Sequence, residues 1–216
     1  MRGKLNIGFG ISTYREAPRY ISEFKHLFPE VNVTLNDIPS SQQRKALLSG
    51  DLQLSFSRLQ DIDTPLQSIK LFPDRLAIAV HEREDIDIDN LWGSVSSLDY
   101  LQLKPDRGIG LYRQIQRYLT SVSQSPIVIQ EANDILTLLA LVSARLGYTI
   151  IPASAQTICP PNVSLFELTS RDTCWDIGLI WNRDNVDQLT QNFIDLVKQR
   201  SDFSHVWIDD RQLREH

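Results

Sequence analysis

Short β-forming runs alternate with amphipathic helical stretches along almost the whole chain, and this alternation constrains the fold more than any other feature. Residues 5–9 read as a buried strand, after which Tyr14, Ala17, Ile21, Phe24 and Leu27 recur at helical spacing. Pro18 must fall near the first turn of that helix, because deeper in it would remove an interior hydrogen bond. Residues 31–35 alternate apolar and polar as a half-buried strand does. Residues 40–49 read as a short helix stopped by Gly50, and 52–56 as the next strand. Residues 67–72 and 75–81 predict two further strands around a turn at Pro73-Asp74. The second half repeats the style. Residues 100–103, 127–130, 148–151 and 175–181 read as strands. Leu111, Ile115, Leu119 and Val122 mark one helix; Ile135, Leu138, Leu139 and Val142 mark another that ends at Gly147. Cys159-Pro-Pro-Asn162 is a loop, and Val186, Leu189, Phe193 and Val197 mark the closing helix. Strands alternating with helices give an α/β fold, a parallel or mixed sheet with helices on its faces. The 216 residues suffice for two such lobes of about a hundred residues each.

Several function classes drop out on composition. A net charge of −5 argues against this chain gripping nucleic acid by itself, since backbone binding needs a clustered basic surface. A DNA-binding domain elsewhere is not excluded. Cys159 and Cys174 are too few for a disulfide framework and lack a CxxC spacing, which fits incidental thiols in a reducing cytoplasm. No apolar run approaches the ~20 residues of a membrane span. The opening Met-Arg-Gly-Lys-Leu-Asn-Ile-Gly lacks the features of a signal peptide. A cytoplasmic protein without a membrane partner is expected. His26, His81, His205 and His216 show no nucleophile or metal spacing, and Gly8-Phe-Gly10 lacks the third glycine of a dinucleotide fingerprint. Asp85, Asp87 and Asp89 read as a solvated face. No catalytic residue, metal or cofactor is assigned; the expectation is a binding module and not an enzyme.

The polar signals sit at helix starts. Thr13-Tyr-Arg-Glu16 and Ser40-Ser-Gln-Gln43 fit the capping-box pattern, and Asn133 precedes a third helix. In an open α/β sheet such strand-to-helix turns fall on the carboxyl edge, where ligands bind. Free N–H groups and the positive end of the helix dipole favour a carboxylate there. The hydroxyls of Ser12, Thr13, Ser40 and Ser41 add possible donors. Capping alone would account for each of these residues singly. Arg58, just after a buried strand, is either a carboxylate-pairing arginine or a surface ion pair.

The order of these pieces resembles a known family. Gly3-Lys-Leu-Asn-Ile-Gly-Phe9, Pro18-Arg-Tyr-Ile-Ser-Glu-Phe24 and Phe28-Pro-Glu-Val-Asn-Val-Thr-Leu35 look like the opening of the effector-binding domain of LysR-type transcription regulators. The resemblance continues through Gln43-Arg-Lys-Ala-Leu-Leu-Ser-Gly50, Leu76-Ala-Ile-Ala-Val-His81, Leu138-Leu-Ala-Leu-Val-Ser-Ala144, Gly147-Tyr-Thr-Ile-Ile-Pro-Ala-Ser154 and Ile180-Trp-Asn-Arg-Asp-Asn185. Each piece is weak alone, but their order and spacing are specific. Ser57-Arg58-Leu59 and Ile151-Pro-Ala-Ser-Ala-Gln156 are most similar to the branch that senses aromatic-degradation intermediates such as muconate.

The resemblance implies a periplasmic-binding-protein-like type II fold, two Rossmann-like lobes joined by two crossing strands. Residues 1–79 with 181–216 would form lobe I and residues 80–180 lobe II. It implies a small organic acid as effector, a homodimer of this domain, a tetramer of the full-length protein, and DNA contact only through an N-terminal winged helix-turn-helix outside this chain. Carried over by position, Ser12 and Ser40 would contact the effector at the first two helix starts, and Gly110 and Leu111 would contribute from the other lobe. Arg58 matches an arginine near an inner pocket. Ile109-Gly110 and Arg145 depart from the family pattern, so the effector stays open. The rival reading is a periplasmic solute-binding protein, which shares the lobed fold.

Overall fold

The computed structural model describes residues 2–60 and 62–203; residues 204–216, which belong to the expected lobe I and contain His205 and His216, lie outside the described residues. Among the described residues, nine strands connect in the order β2-β1-β3-β9-β4-β7-β5-β6, with β8 joined to β4. The strands are β1 Gly3–Phe9, β2 Val31–Asp37, β3 Leu54–Arg58, β4 Leu66–His81, β5 Tyr100–Leu103, β6 Val128–Ala132, β7 Tyr148–Pro152, β8 Val163–Glu167 and β9 Cys174–Asn182. The helices are α1 Glu16–Leu27, α2 Ser40–Ser49, α3 Leu91–Val95, α4 Ile109–Ser121, α5 Ile135–Ser143 and α6 Gln188–Phe203. β1 pairs parallel with β2 and β3, and β5 pairs parallel with β6 and β7, while β4 and β9 run antiparallel to their neighbours. The expected mixed α/β sheet is present.

Two large apolar cores, with a smaller cluster of Leu47, Leu52, Leu66 and Ile180 beside them, flank this network. In one, Leu5, Ile7 and Phe56 pack with Phe24 of α1 and Phe193 of α6. In the other, Ile78 and Ile150 pack with Ile115 of α4 and Leu138 of α5. α4 buries Leu111, Ile115 and Leu119 and α5 buries Ile135, Leu138, Leu139 and Val142 as their spacing predicted, whereas α1 buries only Ala17 and Phe24 of its stripe and leaves Leu27 exposed; Pro18 falls in the first turn of α1 as expected.

β4 links the two halves. Its residues 66–75 bond to β9, whereas Leu76–Ala79 bond to β7 and Ala77–His81 to β8. The turn expected at Pro73-Asp74 is absent. The chain instead continues as one strand of 16 residues, with a register shift between Lys70 and Phe72 and with Pro73 paired opposite Asp176. The pairing also changes hands earlier than the boundaries at 79/80 and 180/181 suggest. It switches at Arg75/Leu76 on β4, and Ile177–Ile180 of β9 already bond to β3. The strand β8 and the short α3 had no clear signal in the sequence.

Helix ends hold further corrections. Thr13 and Ser40 cap nothing with their side chains. Thr13 lies in a short helical turn, Ile11–Thr13, and donates its hydroxyl to the Gly10 carbonyl at 3.0 Å. α1 starts later with Arg15 at its N-cap. α2 is preceded by Pro39, and Gln43, expected to complete a box, is buried and donates to the Ile38 carbonyl at 2.8 Å. At α5 the cap is Asp134, which accepts from the Thr137 N–H at 2.7 Å, not Asn133. Gly50 ends α2 with φ 84°, the left-handed cap expected. α5 stops at Ser143, short of Gly147. Gly147 is required by close approach, because a Cβ there would sit 2.1 Å from the Asp99 carbonyl oxygen.

Candidate functional site

Parallel strands from both halves end at one cleft. β1 delivers Gly10 to Tyr14, and β2 delivers Asp37 to Gln42. From the other half come Leu103, Asp106 to Leu111, and Asn133 to Leu136. These carboxyl edges enclose a cavity of about 540 Å³, the position where doubly wound sheets hold ligands. Ser12, Thr13, Ser40, Ser41, Arg58, Gly110, Leu111 and Asn133 all line it.

Their chemistry differs from residue to residue. Thr13 is buried and bonded within its own turn. The Ser12 hydroxyl donates to Asp74 Oδ2 at 2.6 Å, so it is engaged inside the protein and not held ready for a ligand. Ser40 and Ser41 open α2, whose N-cap Pro39 brings no side-chain hydrogen bond. Gly110 sits in the first turn of α4, whose N-cap Gly108 likewise has none, and a Cβ at Gly110 would meet only open space. The first N–H groups of both helices therefore lack an intrahelical acceptor and a side-chain cap. Leu111 is buried in the wall. Asn133 uses its carbonyl to accept from Arg107 Nε at 3.3 Å.

Arg58 ends β3 beneath these helix starts. Its guanidinium lies 3.6 Å from the centre of the Trp175 ring, and its buried Nη1 has no hydrogen-bond partner among the described residues. Burial pushes Arg58 down to about 10, with Asp74 acting against the shift and Arg117 adding to it. A buried guanidinium N–H without an acceptor is costly unless an anion arrives. A smaller cavity of about 310 Å³ adjoins the first and shares Ser40, Ser41, Ser57, Arg58, Ile109 and Gly110 with it. The α2 start, the α4 start and Arg58 thus form one corner.

A second group, which lines only the larger cavity, is acidic. Tyr14 stacks on Phe9 with ring centres 5.0 Å apart and donates to Asp37. Burial, then the bond and charge of Asp37, then the Asp134 carboxylate raise the Tyr14 phenol well above its ordinary range. Asp37, Tyr14 and Asp134 are therefore electrostatic neighbours across the cleft.

Asp74 was not singled out from the sequence. Buried at 5% exposure, it accepts from Ser12 Oγ, Ser154 Oγ, the Ser154 N–H and the Arg75 N–H, tying the first lobe's turn to the start of the helical segment after β7. Its only local signal was the Pro-Asp pair read as a turn. Among the described residues no group of His, Cys, Asp and Glu is placed to hold a metal ion, and no helix is long and apolar enough to cross a membrane.

Known proteins share this architecture. The chain is 26% identical over 200 residues to the HTH-type transcriptional regulator AlsR of Bacillus subtilis (strain 168), covering 89% of this chain but 65% of AlsR. The BenM effector-binding domain with its effector benzoate superposes with a TM-score of 0.73 at 21% identity, covering 94% of each chain. The effector-binding domain of QuiR in complex with shikimate gives 0.75 at 15% identity, over 94% of this chain and 98% of that one. The fold is thus the periplasmic-binding-protein-like type II arrangement of two lobes. Residues 1–202 match the LysR substrate binding domain, and the chain belongs to that family.

Proposed function

We propose that this chain is the effector-sensing part of a LysR-type transcription regulator and that it binds a small organic acid in the cleft between its lobes. The observation that carries the reading is the corner where Arg58 Nη1 lies buried and unpaired beside the uncapped starts of α2 and α4. All three offer N–H donors with positive character to one point, which suits a carboxylate. Benzoate in BenM and shikimate in QuiR are both carboxylic acids, which supports the same class here.

An acid held by both lobes would bind one inter-lobe angle better than others and shift an existing equilibrium toward it. The reading includes a cytoplasmic location, a homodimer of this domain, a tetramer of the whole protein, and DNA contact through a domain outside this chain. The family supports these expectations, as it supports a sensor over an enzyme. It also favours a regulator over a periplasmic solute-binding protein. The likeness of Ser57-Arg58-Leu59 and Ile151-Pro-Ala-Ser-Ala-Gln156 to the muconate-sensing branch supports an acid of that kind.

The test is a thermal-shift and calorimetric screen against small carboxylates. For any acid that binds, Arg58→Gln is expected to weaken affinity by about ten- to a hundredfold, the worth of a charge-assisted hydrogen bond. Unchanged affinity in a variant that still melts cooperatively would remove Arg58, and with it this site, from the reading.

A further inference from the structure

We infer that the cleft selects a ligand with one carboxylate and one cationic group at its two ends, an amino acid in the broad sense, over a dicarboxylate. The inference rests on the carboxylate reading above and adds the polarity of the site. The ionisable side chains lining the main cavity are three carboxylates, Asp37, Asp106 and Asp134, against two guanidinium groups, Arg58 and Arg107. They are not mixed evenly. Arg58 lies with the α2 and α4 starts in the corner shared by both cavities, and among the described residues the charged side chains lining the smaller one are Arg44, Arg58 and Arg113. Asp37 and Asp134 instead both act on Tyr14, and none of these three lines the smaller cavity.

The helix ends repeat this division. α2 and α4 begin without a side-chain cap and leave their N–H groups to an incoming anion. α5 is already closed by the Asp134 carboxylate, which accepts from both the N–H and the hydroxyl of Thr137. A second ligand carboxylate placed there would meet two negative charges and no open helix dipole. A ligand ammonium would meet two carboxylates instead, each with lone pairs beyond those its protein partner uses. Arg58 Nη1 is buried, whereas Asp37 and Asp134 are exposed, so the carboxylate end reaches deeper at Arg58 and the cationic end stays nearer solvent.

Matched probes of equal length separate the possibilities: butyrate, γ-aminobutyrate and succinate, and the longer hexanoate, ε-aminohexanoate and adipate. Calorimetry on the whole chain is expected to give the amino acid of the better-fitting set an affinity at least about tenfold above its dicarboxylate partner. In the double variant Asp37→Asn with Asp134→Asn, which keeps an acceptor oxygen for Tyr14 and for the α5 cap, that order is expected to reverse. If dicarboxylates bind as well as or better than the amino acids in the unaltered protein, or the double variant leaves the order unchanged, the polarity inference is overturned while the carboxylate reading stands. If no probe binds, or those that bind are indifferent to Arg58→Gln, the carboxylate reading itself is lost.

Discussion

Asp74 is buried within β4, the strand that joins the lobes, and it receives hydrogen bonds from residues 62 and 80 positions away in sequence, Ser12 and Ser154. A buried carboxylate is tolerated when its lone pairs are filled, and four donors fill these. Replacing it by alanine would strand two hydroxyls and two backbone N–H groups in poorly hydrated surroundings. Asp74→Ala is therefore expected to lower stability by about 2–4 kcal/mol, and Asp74→Asn by less, as urea unfolding would measure. A loss under about 0.5 kcal/mol would mean that water replaces the carboxylate easily. The contrast with the expected site residues is instructive. Ser12, Ser40 and Asn133 could be set at the cleft edge because strand-to-helix turns are placed by topology, and topology follows from apolar spacing, whereas Gly110 came only from the family resemblance. What their side chains do was not legible. Nothing near Ser12 in the sequence says that its hydroxyl would be taken by Asp74, because long-range partners leave no local pattern.

Elements follow the same division. The interiors of α1, α4, α5 and α6 follow from apolar stripes that have no other use, and β1, β2 and β7 fall within a residue or two of where the sequence places them. Caps and turns were read less well, since Ser, Thr, Asn and Asp near a helix start compete for the same N–H groups. At α6 the winner is Asp187, whose carboxylate accepts from the Thr190 N–H at 2.7 Å. That bond is the main reason its carboxyl is held below the ordinary carboxylate range. A depressed carboxyl contributes stability that is present above its unfolded value, ~3.9, and is lost as pH falls through the folded value. Asp187→Ala is thus expected to cost about 1 kcal/mol near neutrality, the usual worth of a cap. The gap from the unaltered protein should close as pH drops below about 4. A gap that persists in acid would mean that the side chain acts by packing and not by its charge. The missed turn at Pro73 has another cause. A Pro-Asp pair signals a turn only when the flanking strands reverse, and here Pro73 and Asp74 both stay paired with β9 inside a single strand.

At the scale of the molecule the two cores are not independent, because two strands belong to both. β4 gives Ile69 and Leu71 to one core and Leu76 to Val80 to the other, and β9 gives Trp175 and Ile177 to one and Leu179 and Trp181 to the other. Unfolding either lobe alone would strip these strands of partners and expose apolar surface in the lobe left behind, at about 25 cal/mol per Å². Urea unfolding followed by tryptophan fluorescence and by far-ultraviolet circular dichroism is therefore expected to give coincident single transitions, since Trp181 reports on one core and Trp92 and Trp175 on the other. A carboxylate bound in the cleft touches both lobes, so it should raise the midpoint of that one transition without changing its slope, by about 2.7 kcal/mol at a hundredfold excess over Kd. Two separated transitions, of which the acid moves only one, would place the ligand on a single lobe and remove the physical basis for a lobe angle that reports on binding. A single transition that the acid moves as a whole gives the effector the leverage a sensor needs, because every interaction it makes in the gap is then felt by both sheets at once.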